Sequence, residues 1–161
     1  MAFPKIGNIA PAFSLLDQDG NKVSLKQFRD EKNVVLYFYP KAMTPGCTGQ
    51  ACGIRDSKKE LSKLKTVVLG VSPDPVARLG RFIDKQELNF SLLSDEDHAI
   101  TDKYGAWGLK KFMGREFMGV LRTTFLIGKD GRLKHVMDKV KTKSHHDDVI
   151  TLIKDLGLHK S

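Results

Sequence analysis

The sequence predicts an α/β domain: a mixed central sheet with helices on both faces. Three observations predict it. Two runs, "NVVLYFY" (33–39) and "TVVLGVS" (66–72), are continuously apolar and rich in β-branched residues, the pattern of strands buried on both sides. Between them Ala51, Ile54, Leu61 and Leu64 recur at helical spacing. Late in the chain "TTFLI" and "LKHVM" flank "GKDG", which reads as an antiparallel hairpin.

Taken in order, the first strand ends at Tyr39 and Pro40, and a helix follows as far as Lys65. The next strand completes a parallel βαβ unit. "DPVARLGRFIDKQ" sets Val76, Leu79, Phe82 and Ile83 on one face, a second helix. "DEDHAITDKYGA" predicts a short third helix opening at Asp95. Residues 110–119, "KKFMGREFMG", read as a loop with two Phe and two Met: core packing with a flexible turn, or an apolar lip beside a pocket. After the hairpin, Ser144 with Asp147 three residues on predicts a capped helix through Val149, Ile150, Ile153 and Leu156, stopped by Gly157. The order β-α-β-α-(α)-β-β-α is the layout of a thioredoxin-like fold, expected as one domain over residues 1–161.

Composition narrows the function classes. Forty per cent apolar and 29% charged residues describe an ordinary globular protein. No apolar run reaches the ~18 residues of a membrane span, so no membrane partner is expected. The opening residues carry no basic stretch followed by an apolar one, so no signal peptide is expected and the cytoplasm is the expected location. The net charge of +8 raises nucleic acid as a partner. But basic and acidic residues interleave, and the densest basic patch, 139–143, has no neighbouring aromatic for base stacking. A solvated basic surface is the better reading, with no nucleic acid partner.

Both cysteines of the chain, Cys47 and Cys52, lie in "YPKAMTPGCTGQAC", where the first strand gives way to a helix. In a reducing compartment such a pair points to catalysis, redox chemistry or metal binding rather than a structural staple. A zinc or iron–sulfur site needs about four Cys or His ligands, and adjacent His145 and His146 do not stand a helical turn apart. They read as first-turn residues of the last helix, and no metal is expected. A thiol–disulfide oxidoreductase uses C-x-x-C at a helix start; the place matches and the spacing does not. The third reading is a thiol that reduces peroxides. A non-enzymatic basic binding protein remains a further alternative.

"PKAMTPGC" resembles the P-x-x-x-T-x-x-C signature of peroxiredoxins, through Pro40, Thr44 and Cys47, and the second cysteine five residues on resembles the bacterioferritin-comigratory, or peroxiredoxin Q, branch. The resemblance extends through "NFSLLSDED", "YGAWG", "RTTFLI" and "SHHDDV". It implies a peroxidase acting on hydrogen peroxide and organic hydroperoxides, with Cys47 peroxidatic, Cys52 resolving through an intramolecular disulfide, and Arg122 as the active-site arginine. It also points to thioredoxin or a similar dithiol as reductant. No cofactor is expected, since no G-x-G-x-x-G follows a strand, and the chain is expected to be a monomer.

The residues themselves support these roles. With Thr44 as N-cap and Pro45 at N1, Cys47 falls at N3, where unpaired backbone N–H groups and the helix dipole favour a thiolate. Pro40, lacking an N–H, leaves the strand ladder and can wall the pocket. A thiol of pKa ~8.5 is only about 3% ionised at pH 7, and lowering that pKa costs nucleophilicity. One well-placed donor onto developing charge is worth ~10²–10³. Fast chemistry therefore needs Thr44, Arg122 and backbone N–H groups around the peroxide. Five residues of helix separate two Cα atoms by roughly 8.6 Å, beyond disulfide reach of ~7 Å. The first turns must unwind for the pair to join, and Gly46, Gly49 and Gly53 are expected to make those turns marginal.

Overall fold

A computed structural model describes residues 3–158; the outermost residues of the expected domain, 1–2 and 159–161, lie outside the described residues. Among the described residues seven strands form one mixed sheet. In chain order they are β1 (Ser14–Asp17), β2 (Lys22–Ser24), β3 (Asn33–Phe38), β4 (Thr66–Ser72), β5 (Ser91–Ser94), β8 (Thr123–Ile127) and β9 (Leu133–Met137). A separate hairpin holds β6 (Trp107–Phe112) and β7 (Arg115–Val120). The spatial order in the sheet is β2-β1-β5-β4-β3-β8-β9. β3, β4 and β5 are parallel neighbours, and every other pairing is antiparallel.

β3 lies inside the sheet between β4 and β8, and all six of its residues are buried. Val35, Tyr37 and then Tyr39 face one core, while Val34, Leu36 and Phe38 face the other. The first core is closed by α1 (Pro45–Asp56), α2 (Lys58–Lys63), α3 (Val76–Gln86) and α5 (His145–Asp155). The second is covered by α4 (Ala99–Lys103), a 3-10 turn at Leu25–Phe28 and the base of the β6–β7 hairpin. Helices thus lie on both faces of a mixed sheet, the thioredoxin-like arrangement. Gly70 of β4 sits opposite Tyr37, and a Cβ there would come within 2.9 Å of the tyrosine ring. The glycine makes room for a ring that carries the floor of the site described below.

Several elements differ from the sequence expectation. The long first helix is two: it breaks at Ser57 (φ −98°, ψ 4°), where Asp56 and Ser57, both poor helix formers, meet. α4 begins at Ala99, not Asp95. Asp95 instead turns its buried carboxylate onto the backbone N–H of Ile100 and Thr101 from outside the helix. The expected cap of α5 is absent: the Ser144 hydroxyl donates to Asp148 one turn on, at 2.9 Å. Residues 110–119 are not a loop but most of the β6–β7 hairpin. Met113 and Gly114 both take positive φ, forming the two-residue turn that suits twisted antiparallel strands. Leu109, Phe112, Met113, Phe117 and Met118 are exposed, so core packing by this segment is ruled out.

Candidate active site

The C-terminal end of β3 delivers the chain to the site. The backbone leaves the ladder after Tyr39, whose N–H still bonds Val71, and Pro40 follows half-buried. The connecting loop is pinned. The buried Asp74 carboxylate accepts the Ala42 N–H at 2.7 Å, and Arg78 donates to the Ala42 carbonyl at 3.0 Å. Met43 is held at φ +66°, an uncommon conformation for a side-chain-bearing residue. Thr44 is the N-cap in extended conformation, with Pro45 at N1, which puts Cys47 at N3.

Cys47 is buried, 2% exposed, and Arg122 Nη2 lies 3.1 Å from its Sγ. Arg122 stands just before β8, on the same side of that strand as Thr124. Its other terminal nitrogen, Nη1, donates to Gln50 Oε1 at 3.2 Å. Gly46 permits this approach, since a Cβ there would lie 3.3 Å from Arg122 Nη2. The guanidinium therefore touches both the sulfur and the next turn of α1, a two-pronged grip that lysine cannot supply. The Thr44 hydroxyl does not cap the helix as expected; it donates to the Lys41 carbonyl at 2.9 Å, which leaves its lone pairs free to accept.

Behind the guanidinium runs a buried polar chain that the sequence reading missed. Gln50 Nε2 meets His145 Nδ1 at 3.1 Å, and His145 Nε2 meets Thr124 Oγ1 at 2.8 Å. Burial pushes the His145 pKa down to about 4, opposed by Asp148 and reinforced by His146 and Arg122. The ring is therefore neutral at pH 7, edge-on to Tyr37 with centroids 5.4 Å apart. Two of these residues had a signal in the sequence: Gln50 is one helical turn from Cys47, and Thr124 is one strand repeat from Arg122. His145 had none, because its place depends on α5 packing across α1.

Cys52 lies further along α1, half-buried, with its sulfur 3.5 Å from Gln86 Oε1 at the end of α3. Both thiols are unbonded and the helix between them is intact. Of the three glycines read as weakening this helix, two have packing reasons. Gly46 admits Arg122, and Gly53 admits α5, since a Cβ there would meet His146 Nδ1 at 2.3 Å. Gly49 faces open space. The β6–β7 hairpin leads directly into Arg122 and carries Lys110. Burial lowers that lysine's pKa and Arg122 lowers it further, while Cys47 acts in the opposite sense. No group of three or more His, Cys, Asp or Glu among the described residues is arranged to hold a metal.

A thiol at a helix start, under an arginine, on this sheet defines a protein of thiol-based redox chemistry. Comparison with known proteins specifies which. Residues 6–136 match the model of the AhpC/TSA family. Peroxiredoxin Bcp of Escherichia coli K12 is 53% identical over 151 residues, 94% of this chain and 96% of the relative. Among solved structures, a Xylella fastidiosa PrxQ variant superposes with a TM-score of 0.90 at 27% identity, covering 98% and 99% of the two chains. The bacterioferritin comigratory protein of Xanthomonas campestris, studied for its alkyl peroxide reduction activity, superposes with a TM-score of 0.84 at 31% identity over 89% and 91%. The chain belongs to the AhpC/TSA family and, within it, to the Bcp/PrxQ peroxiredoxins, which are thiol peroxidases.

Proposed function

We propose that the chain reduces hydrogen peroxide and organic hydroperoxides with Cys47 as the peroxidatic thiol and Cys52 as the resolving one. The observation that carries this is the 3.1 Å contact between Arg122 and a buried Cys47 at the third position of α1. The Cys47 thiolate attacks the terminal oxygen of ROOH. The O–O bond breaks, the alkoxide takes a proton and leaves as ROH, and Cys47 becomes a sulfenic acid. Arg122 and the first N–H groups of α1 stabilise charge on both oxygens as that bond stretches. The Thr44 hydroxyl, its proton engaged by Lys41, accepts the peroxide's O–H, and Pro40 keeps water from one side of the pocket. The first turns of α1 then unwind. Cys52 attacks the sulfenic sulfur, water leaves, and a disulfide joins the pair. A dithiol protein of the thioredoxin type returns both thiols by exchange.

The alkyl peroxide activity of the Xanthomonas relative supports the organic substrates. So does the exposed apolar hairpin beside Arg122. The functional unit is a monomer spanning residues 1–161, working in the cytoplasm without cofactor or metal. Consumption of hydrogen peroxide and cumene hydroperoxide with thioredoxin, thioredoxin reductase and NADPH tests the proposal. Wild type is expected to turn over both peroxides and Cys47→Ser neither; substantial activity in that variant would overturn it.

A further inference from the structure

We propose that His145 is a positioning residue for the peroxide reaction: by accepting a hydrogen bond at Nδ1 it locks the Gln50 amide, and the locked amide holds Arg122 over Cys47. The proposal rests on the reading of Arg122 given above and extends it to α5, which takes no part in the chemistry.

The argument is one of donors and acceptors. Arginine has N–H donors and no acceptor, so the Gln50 atom facing Arg122 Nη1 at 3.2 Å must be the carbonyl oxygen. The Gln50 NH2 is thereby turned to His145 Nδ1 at 3.1 Å, and that nitrogen must accept. The single ring proton of neutral His145 then sits on Nε2 and is donated to Thr124 Oγ1 at 2.8 Å. Every atom in the chain has one role only. Gln50 is 1%, His145 0% and Thr124 3% exposed, so water is not available to replace a missing partner.

An amide can turn over with little change of shape. Without an acceptor at Nδ1 nothing favours the observed orientation of Gln50 except Arg122 itself, a partly buried side chain whose two terminal nitrogens are held by Gln50 and Cys47. A turned amide would present its NH2 to the guanidinium, donor against donor, and push it from the sulfur. His145 prevents this from across the α1–α5 contact. Tyr37, edge-on at 5.4 Å, fixes the plane of the ring, and Gly70 leaves Tyr37 its space. The alternative is a buried histidine that is satisfied and does nothing beyond filling the core.

Two variants separate these readings. Asparagine places an oxygen where Nδ1 stands, so His145→Asn keeps the Gln50 contact and loses that to Thr124. Glutamine reaches the position of Nε2, so His145→Gln keeps Thr124 and loses Gln50. Each gives up one buried hydrogen bond, so both should melt at similar temperatures. The readout is the second-order rate of Cys47 oxidation by hydrogen peroxide in stopped flow, with melting followed in parallel. His145→Gln should be slower by about tenfold, since a modest misplacement of a positioning group costs up to ~10². His145→Asn should stay within about threefold of wild type. In an Arg122→Met background His145→Gln should add no further loss, because it acts only through Arg122. The reverse order of the two variants, or an equal loss in both backgrounds, would overturn the proposal. Should His145→Gln fold poorly, Gln50→Leu removes the same contact from the α1 side, and a wild-type rate for it overturns the proposal equally. Arg122→Met reacting at the wild-type rate would instead bring down the reading of Arg122 itself, and this one with it.

Discussion

Cys47 and Cys52 share one helix, yet their surroundings are built on different terms. Around Cys47 three elements converge: α1 supplies the helix start, the approach to β8 supplies Arg122 at 3.1 Å, and α5 supplies the buried histidine behind it. The Cys52 thiol makes only a weak contact among the described residues, with Gln86 Oε1 at 3.5 Å, and is half-buried. A few residues beyond it the helix is tied down again. Arg55 donates to the Gln86 carbonyl at 2.6 Å, Asn89 donates to the Arg55 carbonyl at 3.1 Å, and Lys58 donates to the Asn89 carbonyl. The intact helix is thus a state in which one thiol is fully arranged and the other is held loosely. Opening of the first turns would release the arranged thiol while the anchored end of α1 keeps the loose one near.

The comparison breaks most sharply on the cysteines. Cys52→Ser should still consume one equivalent of peroxide and then stop, with no turnover on thioredoxin. Mass spectrometry after that equivalent should find sulfenic acid on Cys47 and no internal disulfide. Normal turnover in Cys52→Ser would mean the loose thiol is only a neighbour. Next in size is Arg122→Met. Its reaction with peroxide should fall by ~10²–10³, measured at a pH high enough to ionise the thiol in both proteins, because a donor onto developing charge is lost. Equal rates there would reduce Arg122 to a role in ionising Cys47.

How far these surroundings could be read beforehand divides along the same line. The Cys47 position was legible because it is local: Thr44, Pro45 and Cys47 define a helix start within four residues, and β3 announces itself by unbroken burial. Arg122 entered only through the family likeness; nothing in "LRTTFLI" alone separates it from a strand-end arginine. His145 was read as a first-turn residue, correctly for its place on α5 and silently as to its partners, which lie 95 and 21 residues away. The β6–β7 hairpin escaped because, beyond its base, its strands are mostly exposed and show no regular burial alternation, and because Met113 hides a turn that needs positive φ. β1, β2 and β5, three or four residues each, are too short to show a period.

A smaller effect concerns pH. With its pKa at about 4 in the fold against an ordinary 6.5, His145 is depressed, so the unfolded chain binds the proton more readily. Its contribution is complete above about pH 6.5 and is lost as pH falls toward 4, roughly 3 kcal/mol in all. The charges that bear on it are Asp148, His146 and Arg122. Carboxylates also titrate in this window, so the quantity to compare is the pH slope of unfolding free energy in wild type and in His145→Asn between pH 7 and 4.5. The wild type should be the steeper. Parallel slopes would mean the buried ring is solvated in a way its 0% exposure does not suggest.

The smallest predicted effect bears on how the arranged state gives way to the open one. Among the three glycines of the segment only Gly49 has open space around its Cα, and its φ is not positive. Gly49→Ala should therefore stabilise the intact helix by up to ~1 kcal/mol. That lowers the unwound population about fivefold (RT ≈ 0.6 kcal/mol). Attack on peroxide needs the intact helix and should be unchanged or slightly faster; disulfide closure needs the open one and should slow. Sulfenic acid would then survive to meet a second peroxide, and the sulfinic fraction should rise across a peroxide series. Gly53→Ala provides the opposite sign. Its Cβ would strike the His146 ring at 2.3 Å, so that ring must shift where α5 meets α1, and the variant should destabilise the protein and hasten opening. Closure rates by stopped flow, with sulfinic acid by mass spectrometry, should place Gly49→Ala below wild type and Gly53→Ala at or above it. If Gly49→Ala closed its disulfide as fast as wild type, unwinding of the first turns would not limit resolution. The loose hold on Cys52 would then have to be explained by access of the reductant instead.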